Sequence, residues 1–391
     1  MDCRTKKQHY IAQCIINIFV ENKKIYEKII DKNKIYNTSV GNSMCHNNSY
    51  EYILLPDNTL EKFFASSIDN GSANGLKNIL KLIEKEKTEI SKVHNEVCNN
   101  LYYFITNYYK SMASLIRMGV KDNDIDQASS ITQLLFRIFN EKYIMRLISI
   151  ITLGYKFAVI KSQEGNFIMS DQYIATCSTS FKGQFLNISS RDIGIKDSVI
   201  LIPFNSHYYG MFYNGKINNI KIDDNKINIL DKEAENIINQ VIYDNATYKV
   251  LGTCREILSD LDKINKVCGD ITASAIYSNN KTITYKVKKE VFLDKKEYEF
   301  FEYWKTYKWT KMKTLGRNDK CLCGSNLKYK RCCKDKVERC FQIMDTMHYS
   351  QKSILIMEEL GMEEPILMPI SKNKEMKELV TNLKNRNQIK H

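Results

Sequence analysis

The chain has 391 residues, 43% of them apolar, and its 58 Lys and Arg against 45 Asp and Glu leave a formal net charge of +13. That apolar share excludes a disordered polypeptide, and the length suits one large domain with a small additional module. Twelve cysteines, scattered apart from one cluster, fit a reducing cytosol rather than a disulfide scaffold.

In chain order, Tyr10, Ile11, Cys14, Ile15, Ile18 and Phe19 recur at helical spacing and predict a helix within residues 1–20. Gln13 and Asn17 interrupt its apolar run, so it is a poor signal segment. A small hairpin is expected over 25–36. Asn58-Thr59-Leu60-Glu61 reads as a helix start, with Glu61 at the positive end of the dipole. This helix should pass Phe63, Phe64 and Ile68, break at Gly71 and Gly75, and resume over 76–87. Long helices are expected over 89–118 and 124–153, with Leu101, Tyr102, Phe104, Ile105 and Tyr108 as a packing stripe. Residues 144–153 contain Arg146 and are too few to span a bilayer. The expected setting is therefore the cytoplasm, with no membrane span.

After Gly154 the period changes from helical to alternating. A hairpin is expected between 155–160 and 167–170, strands over 198–203 and 208–213, helices over 233–243 and 255–266, and a hairpin between 272–277 and 282–287. The fold class expected is α+β, a helical N-terminal half followed by a mainly antiparallel sheet. The division expected is a domain over 1–300, a connector and module over 301–335, and a charged helical tail over 336–391, broken near Pro365 and Pro369.

Between Phe301 and Lys336 eleven basic residues face three acidic ones, so most of the excess charge lies in this one segment. Tyr303, Trp304, Tyr307, Trp309 and Tyr329 are interleaved with it. Cations bind phosphate and aromatic faces stack on bases, so the mixture suits RNA or single-stranded DNA. The plainer alternative is aromatic docking on the main domain with solvated lysines. The same segment holds Cys321 and Cys323, then eight residues, then Cys332 and Cys333. Two such pairs can converge on one tetrahedral centre, for which zinc is the apt ion. Four free thiols, or a vicinal disulfide at Cys332-Cys333, are the other readings. Gly324 lets the backbone curl, and Ser325 is placed to cap a turn from Leu327 to Cys333.

Gly316-Arg317-Asn318-Asp319-Lys320-Cys321-Leu322-Cys323-Gly324-Ser325, with Lys328-Tyr329-Lys330-Arg331-Cys332-Cys333, resembles the SEC-C motif, named from the C-terminus of the preprotein translocase ATPase. The resemblance implies that all four cysteines hold one structural zinc. The chain departs from the motif at Lys320 and Leu322, often proline, and at Asn326, usually glycine. Arg317, Lys320, Lys328, Lys330, Arg331 and Trp309 are the candidate contacts to nucleic acid, a ribonucleoprotein or a protein partner.

A second likeness begins at Lys6-Lys7-Gln8-His9-Tyr10-Ile11-Ala12-Gln13 and continues at Phe167-Ile168-Met169-Ser170-Asp171 and Ile202-Pro203-Phe204. Over roughly 1–255 the chain resembles a bacterial family of unknown function, numbered four-two-three-eight. His9, Gln13, Glu61, Ser170 and Asp171 are the candidate catalytic residues. A His with a carboxylate is the minimum for acid–base work, and Asp with Glu would suit Mg²⁺ in a nuclease or other hydrolase. The structural alternative gives His9 a buried carbonyl and makes Ser170-Asp171 a turn cap. By analogy alone, a SEC-C tail on such a domain implies a bacterial stress or phage-defence component.

Overall fold

A computed structural model describes residues 7–21, 23–30, 32–52, 55–121, 124–125, 127–181, 193, 198–261, 271–276, 282–287, 315–335 and 337–338. The fold is α+β, but helices and strands are interleaved rather than divided into a helical half and a sheet. The reason is long-range pairing, which draws the early hairpin into a sheet with strands more than a hundred residues later.

The N-terminal segment is not one helix. Lys7–His9 is a strand paired antiparallel with Cys45–Asn47, and the helix Gln13–Val20 follows it. Ile15, Ile16, Phe19 and Val20 are its buried face. Ile25–Ile29 and Lys34–Thr38 form the expected hairpin. Its inner strand also pairs with Lys249–Gly252, which in turn pairs with Met169–Ser170.

Thr59–Phe63 runs into a π-helical turn, Phe64–Asp69, and then Asn70–Ile83, without the expected break. The glycines mark close approach instead. A Cβ on Gly71 would lie 2.3 Å from the Tyr103 ring, and one on Gly75 2.3 Å from Asn100. Both contacts are to the long helix Ile90–Lys110, whose side chains press against the helix Asn70–Ile83. Its stripe of Leu101, Tyr102, Phe104, Ile105 and Tyr108 is buried as core. Each such side chain contributes on the order of 1.5–3 kcal/mol by leaving water.

Two expected helices are each split by a polar cap. Extended Ser111 ends Ile90–Lys110, and its hydroxyl accepts from Ser114 N–H at 3.3 Å to start Met112–Gly119. Asn140 accepts from Tyr143 N–H at 3.1 Å and separates Gln127–Ile138 from Glu141–Gly154.

Lys156–Lys161 does not turn back on Met169–Ser170. It pairs antiparallel with Tyr208–Tyr213 and parallel with Ile227–Ile229. Ser198–Pro203 and Ala175–Ser178 complete a five-stranded sheet. Lys232–Asn245 forms the expected helix, and Arg255–Asp260 its shorter successor. Ile271–Ile276 and Thr282–Val287 pair as expected, and Asp124–Ile125 joins Ile271–Ile276 to the edge strand Val120–Lys121. No helix among the described residues is long and apolar enough to cross a membrane. Of the tail expected over 336–391, only 337–338 are among the described residues.

Candidate metal centre

The cysteine loops are built by backbone bonds between two short facing segments. Cys321 N–H donates to Leu327 C=O at 2.8 Å, Tyr329 N–H to Asp319 C=O at 2.7 Å, and Lys330 N–H to Arg317 C=O at 3.0 Å. Asp319 also accepts from Gly316 N–H at 2.6 Å, closing the turn in front of Cys321. At the far end Gly324 and Asn326 have φ of +82° and +57°. Glycine takes that left-handed backbone freely, and asparagine is among the residues that tolerate it best, which explains the departure at position 326. Ser325 does not cap a helical turn. Its hydroxyl accepts from Leu327 N–H at 3.3 Å inside the loop, and the 3-10 turn Tyr329–Arg331 starts after Lys328 without a side-chain cap.

This framework brings together Cys321, Cys323, Cys332 and Cys333, whose Sγ atoms all lie within 4.8 Å of one another. Cys323 and Cys332 are 3.4 Å apart, and Cys332 and Cys333 are 3.6 Å apart. A tetrahedral zinc with Zn–S near 2.3 Å requires sulfurs about 3.8 Å apart, so the set fits. A disulfide requires about 2.05 Å, so the vicinal pair is not bonded. The Ser325 hydroxyl draws the Cys323 thiol down to about 6, while burial pushes the Cys321 and Cys333 thiols up. Burial thus favours a thiol at two of the four positions, and a coordinated cation is what makes all four thiolates. Tyr329 and Val337 are buried with Cys321 and Cys333 in a miniature core. The arrangement is consistent with a structural zinc: four sulfurs leave no position open for water.

Arg317, Lys320, Lys328, Lys330 and Arg331 are exposed, and none of them forms an ion pair among the described residues. Lys334 differs, pairing with Glu338 at 2.8 Å. Folding sets Arg317 against Lys330 and Lys320 against Lys328 on the facing segments. Leu322 and Leu327 stand 52% exposed beside them. Trp309 lies outside the described residues.

The five candidate catalytic residues do not form one site. Asp171 is fully buried and its carboxylate is committed to backbone, accepting from Thr247, Tyr248 and Lys249 N–H at 2.9, 2.7 and 3.1 Å. Burial raises its proton affinity against the pull of those donors. Ser170 accepts from Gln172 N–H at 3.3 Å in the adjoining turn. Both are structural anchors, the capping role that a strand-to-loop turn requires. Gln13 is exposed at the first residue of its helix.

His9 and Glu61 are brought together. The His9 backbone N–H faces the Glu61 carboxylate, and both side chains lie near the buried ion pair of Lys110 and Asp69. Burial, opposed first by Lys110, raises Glu61 to about 7; burial lowers the His9 imidazole. Sequence reasoning missed Lys110 and Asp69. The available signal was a lysine closing an otherwise apolar helical stripe. Among the described residues only the four cysteines form a group of three or more metal-ligating side chains, so Glu61 and Asp171 do not meet in a Mg²⁺ site of that kind.

The SEC-C motif matches residues 317–335, the segment that carries the four cysteines, and the main domain is unassigned. No curated protein and no solved structure matches the chain.

Proposed function

We propose that the zinc module is a docking unit for nucleic acid or a ribonucleoprotein, and that the main domain is the effector it carries. One observation bears the reading: two facing segments gather five exposed cations that no described carboxylate neutralises. Zinc supplies rigidity, holding phosphate-binding side chains in fixed relation without taking part in chemistry. The aromatic run over 303–309 in the sequence supplies stacking faces. By analogy alone, a SEC-C tail on a main domain that resembles the family numbered four-two-three-eight supports a bacterial stress or phage-defence setting. A metal-dependent nuclease using Asp171 is the weaker alternative, because that carboxylate is occupied by backbone donors.

Binding of the zinc-loaded full chain to single-stranded RNA is the direct test. If all five cations engage phosphates, the logarithm of affinity should fall against the logarithm of salt with a slope of about −3.5. Lys328→Ala with Lys330→Ala should flatten that slope by about 1.4. Unchanged binding in the double variant would reject the interface. Leu322 and Leu327 support a second reading, a protein partner with an apolar contact. Under it Leu322→Ser with Leu327→Ser abolishes partner capture and leaves RNA affinity intact.

A further inference from the structure

The four sulfurs of the cysteine centre are not equivalent toward solvent. Cys321 and Cys333 are 5% and 7% exposed and pack with Tyr329 and Val337. Cys323 and Cys332 are half-buried, and Leu322, Gly324 and Arg331, which flank them, are exposed. The loops that enclose one pair therefore leave the other within reach of a small solute. These two accessible sulfurs face each other at 3.4 Å, nearer than Cys332 is to its chain neighbour Cys333 at 3.6 Å. Backbone bonds fix the pair from both sides. Cys321 N–H to Leu327 C=O and Tyr329 N–H to Asp319 C=O join the two segments, and Cys332 N–H donates to Tyr329 C=O at 3.1 Å.

Geometry also decides which sulfurs oxidation would join. A disulfide spans Cα atoms about 4.4–6.8 Å apart. Neighbouring residues on a trans peptide stand only about 3.8 Å apart, so a bridge from Cys332 to Cys333 is strained. Cys321 is covered by the miniature core. Cys323 with Cys332 is the pair that remains, its sulfurs needing to close to about 2.05 Å by side-chain rotation. We propose that Cys323 and Cys332 are an oxidation site, at which a two-electron oxidant of the hydroperoxide class forms a disulfide and reversibly strips the module of its zinc.

The Cys323 thiolate attacks one peroxide oxygen and breaks the O–O bond, giving a sulfenic acid and a hydroxide that is protonated to water. The Cys332 thiolate then attacks the Cys323 sulfur. The S–S bond forms, the S–O bond breaks, and the second hydroxide also leaves as water. The two sulfurs have lost two electrons, and the peroxide has gained them. Cys321 and Cys333 are then half of the ligand set that a structural zinc requires, and they become thiols as the metal departs. Their burial shields them from the oxidant, so reducing one disulfide restores all four ligands. This site rests on the zinc assignment and not on the nucleic-acid reading.

The test treats the zinc-loaded full chain with hydrogen peroxide beside a chromogenic zinc indicator, over a range that oxidises free glutathione completely. Release should reach about one zinc per chain and reverse with dithiothreitol and added zinc. Blocking free thiols with N-ethylmaleimide in denaturant, then cutting with trypsin, should yield the peptide 321–328 joined to 332–334, with the label on Cys321 and Cys333. Cys332→His keeps a nitrogen ligand for zinc but lacks the second thiol, and should hold metal without dithiothreitol-reversible release. The wild-type peptide map decides the pair even where that variant loses its metal. Zinc retained under peroxide, a bridge mapped to Cys332–Cys333 or to Cys321, or reversible release in Cys332→His would overturn the site. A chain that carries no zinc overturns the metal assignment with it. Neither readout uses RNA, so this site and the docking reading fail separately.

Discussion

Asp171 and Glu61 are both carboxylates that the sequence offered for acid–base work, and their surroundings assign them opposite parts. Asp171 satisfies three consecutive backbone N–H groups of the segment entering Lys249–Gly252. Removing that acceptor leaves buried donors unbonded at about 1–3 kcal/mol each. Asp171→Ala should therefore lower stability by about 3 kcal/mol or more, read from urea denaturation with an unchanged zinc content. A loss below about 0.5 kcal/mol would show that the clamp is idle. Burial, opposed first by Lys110, raises the folded-state proton affinity of Glu61 to about 7. The stability linked to it is fully present below its unfolded value and is lost as pH rises through 7. Glu61→Gln should thus be more stable than wild type at pH 8 and indistinguishable from it near pH 4.5. A carboxylate that costs stability at neutral pH is the kind retained for binding or chemistry.

At the scale of elements, the cysteine module is short enough that metal and backbone share the work. Its own core is Tyr329 and Val337 with two of the cysteines, too small to hold two loops alone. Cys323→Ser should lower zinc per chain, measured by atomic emission, and chelation should abolish cooperative melting of the module. Unchanged metal content would reject the ligand assignment. Asn326 tests the loop itself. Asn326→Gly should preserve metal retention, whereas Asn326→Val places a β-branched residue at φ +57° and should speed zinc loss to a chelator several-fold. Equal release rates would mean that the left-handed turn does not control the site.

Across the whole molecule, the long helix and the five-stranded sheet meet at His94, whose ring stacks on Phe157 at 5.0 Å and tilts against Phe212 at 5.8 Å. Its Nε2 has no partner among the described residues, and burial lowers its proton affinity. His9 and His46 are shifted in the same direction. Unfolding therefore takes up protons at these positions, and their contribution to stability falls as pH drops below 6.5. Glu61 has the opposite sign over the same range. His94→Gln should flatten the acid limb of the melting profile between pH 6.5 and 5, and an unaltered limb would exclude this linkage.

Residue spacing with the SEC-C resemblance made the four-sulfur centre legible in the sequence, because its ligands fall within thirteen residues and the loops between them close by local hydrogen bonds. It also determined the buried stripe of the long helix and the two local hairpins, since periodicity and turn chemistry act over short range. The tertiary structure alone decided where Met169–Ser170 and Lys156–Lys161 pair. Asp171 and Asn239 carry hydrogen bonds across more than seventy residues, which no local pattern encodes. It likewise decided that Gly71 and Gly75 serve packing rather than a break, and that His9 and Glu61 meet Lys110 while Ser170 and Asp171 become anchors. The physical reason is one of range. Propensity and spacing act between neighbours, whereas desolvation and the demand of every buried polar group for a partner are settled only when distant segments pack.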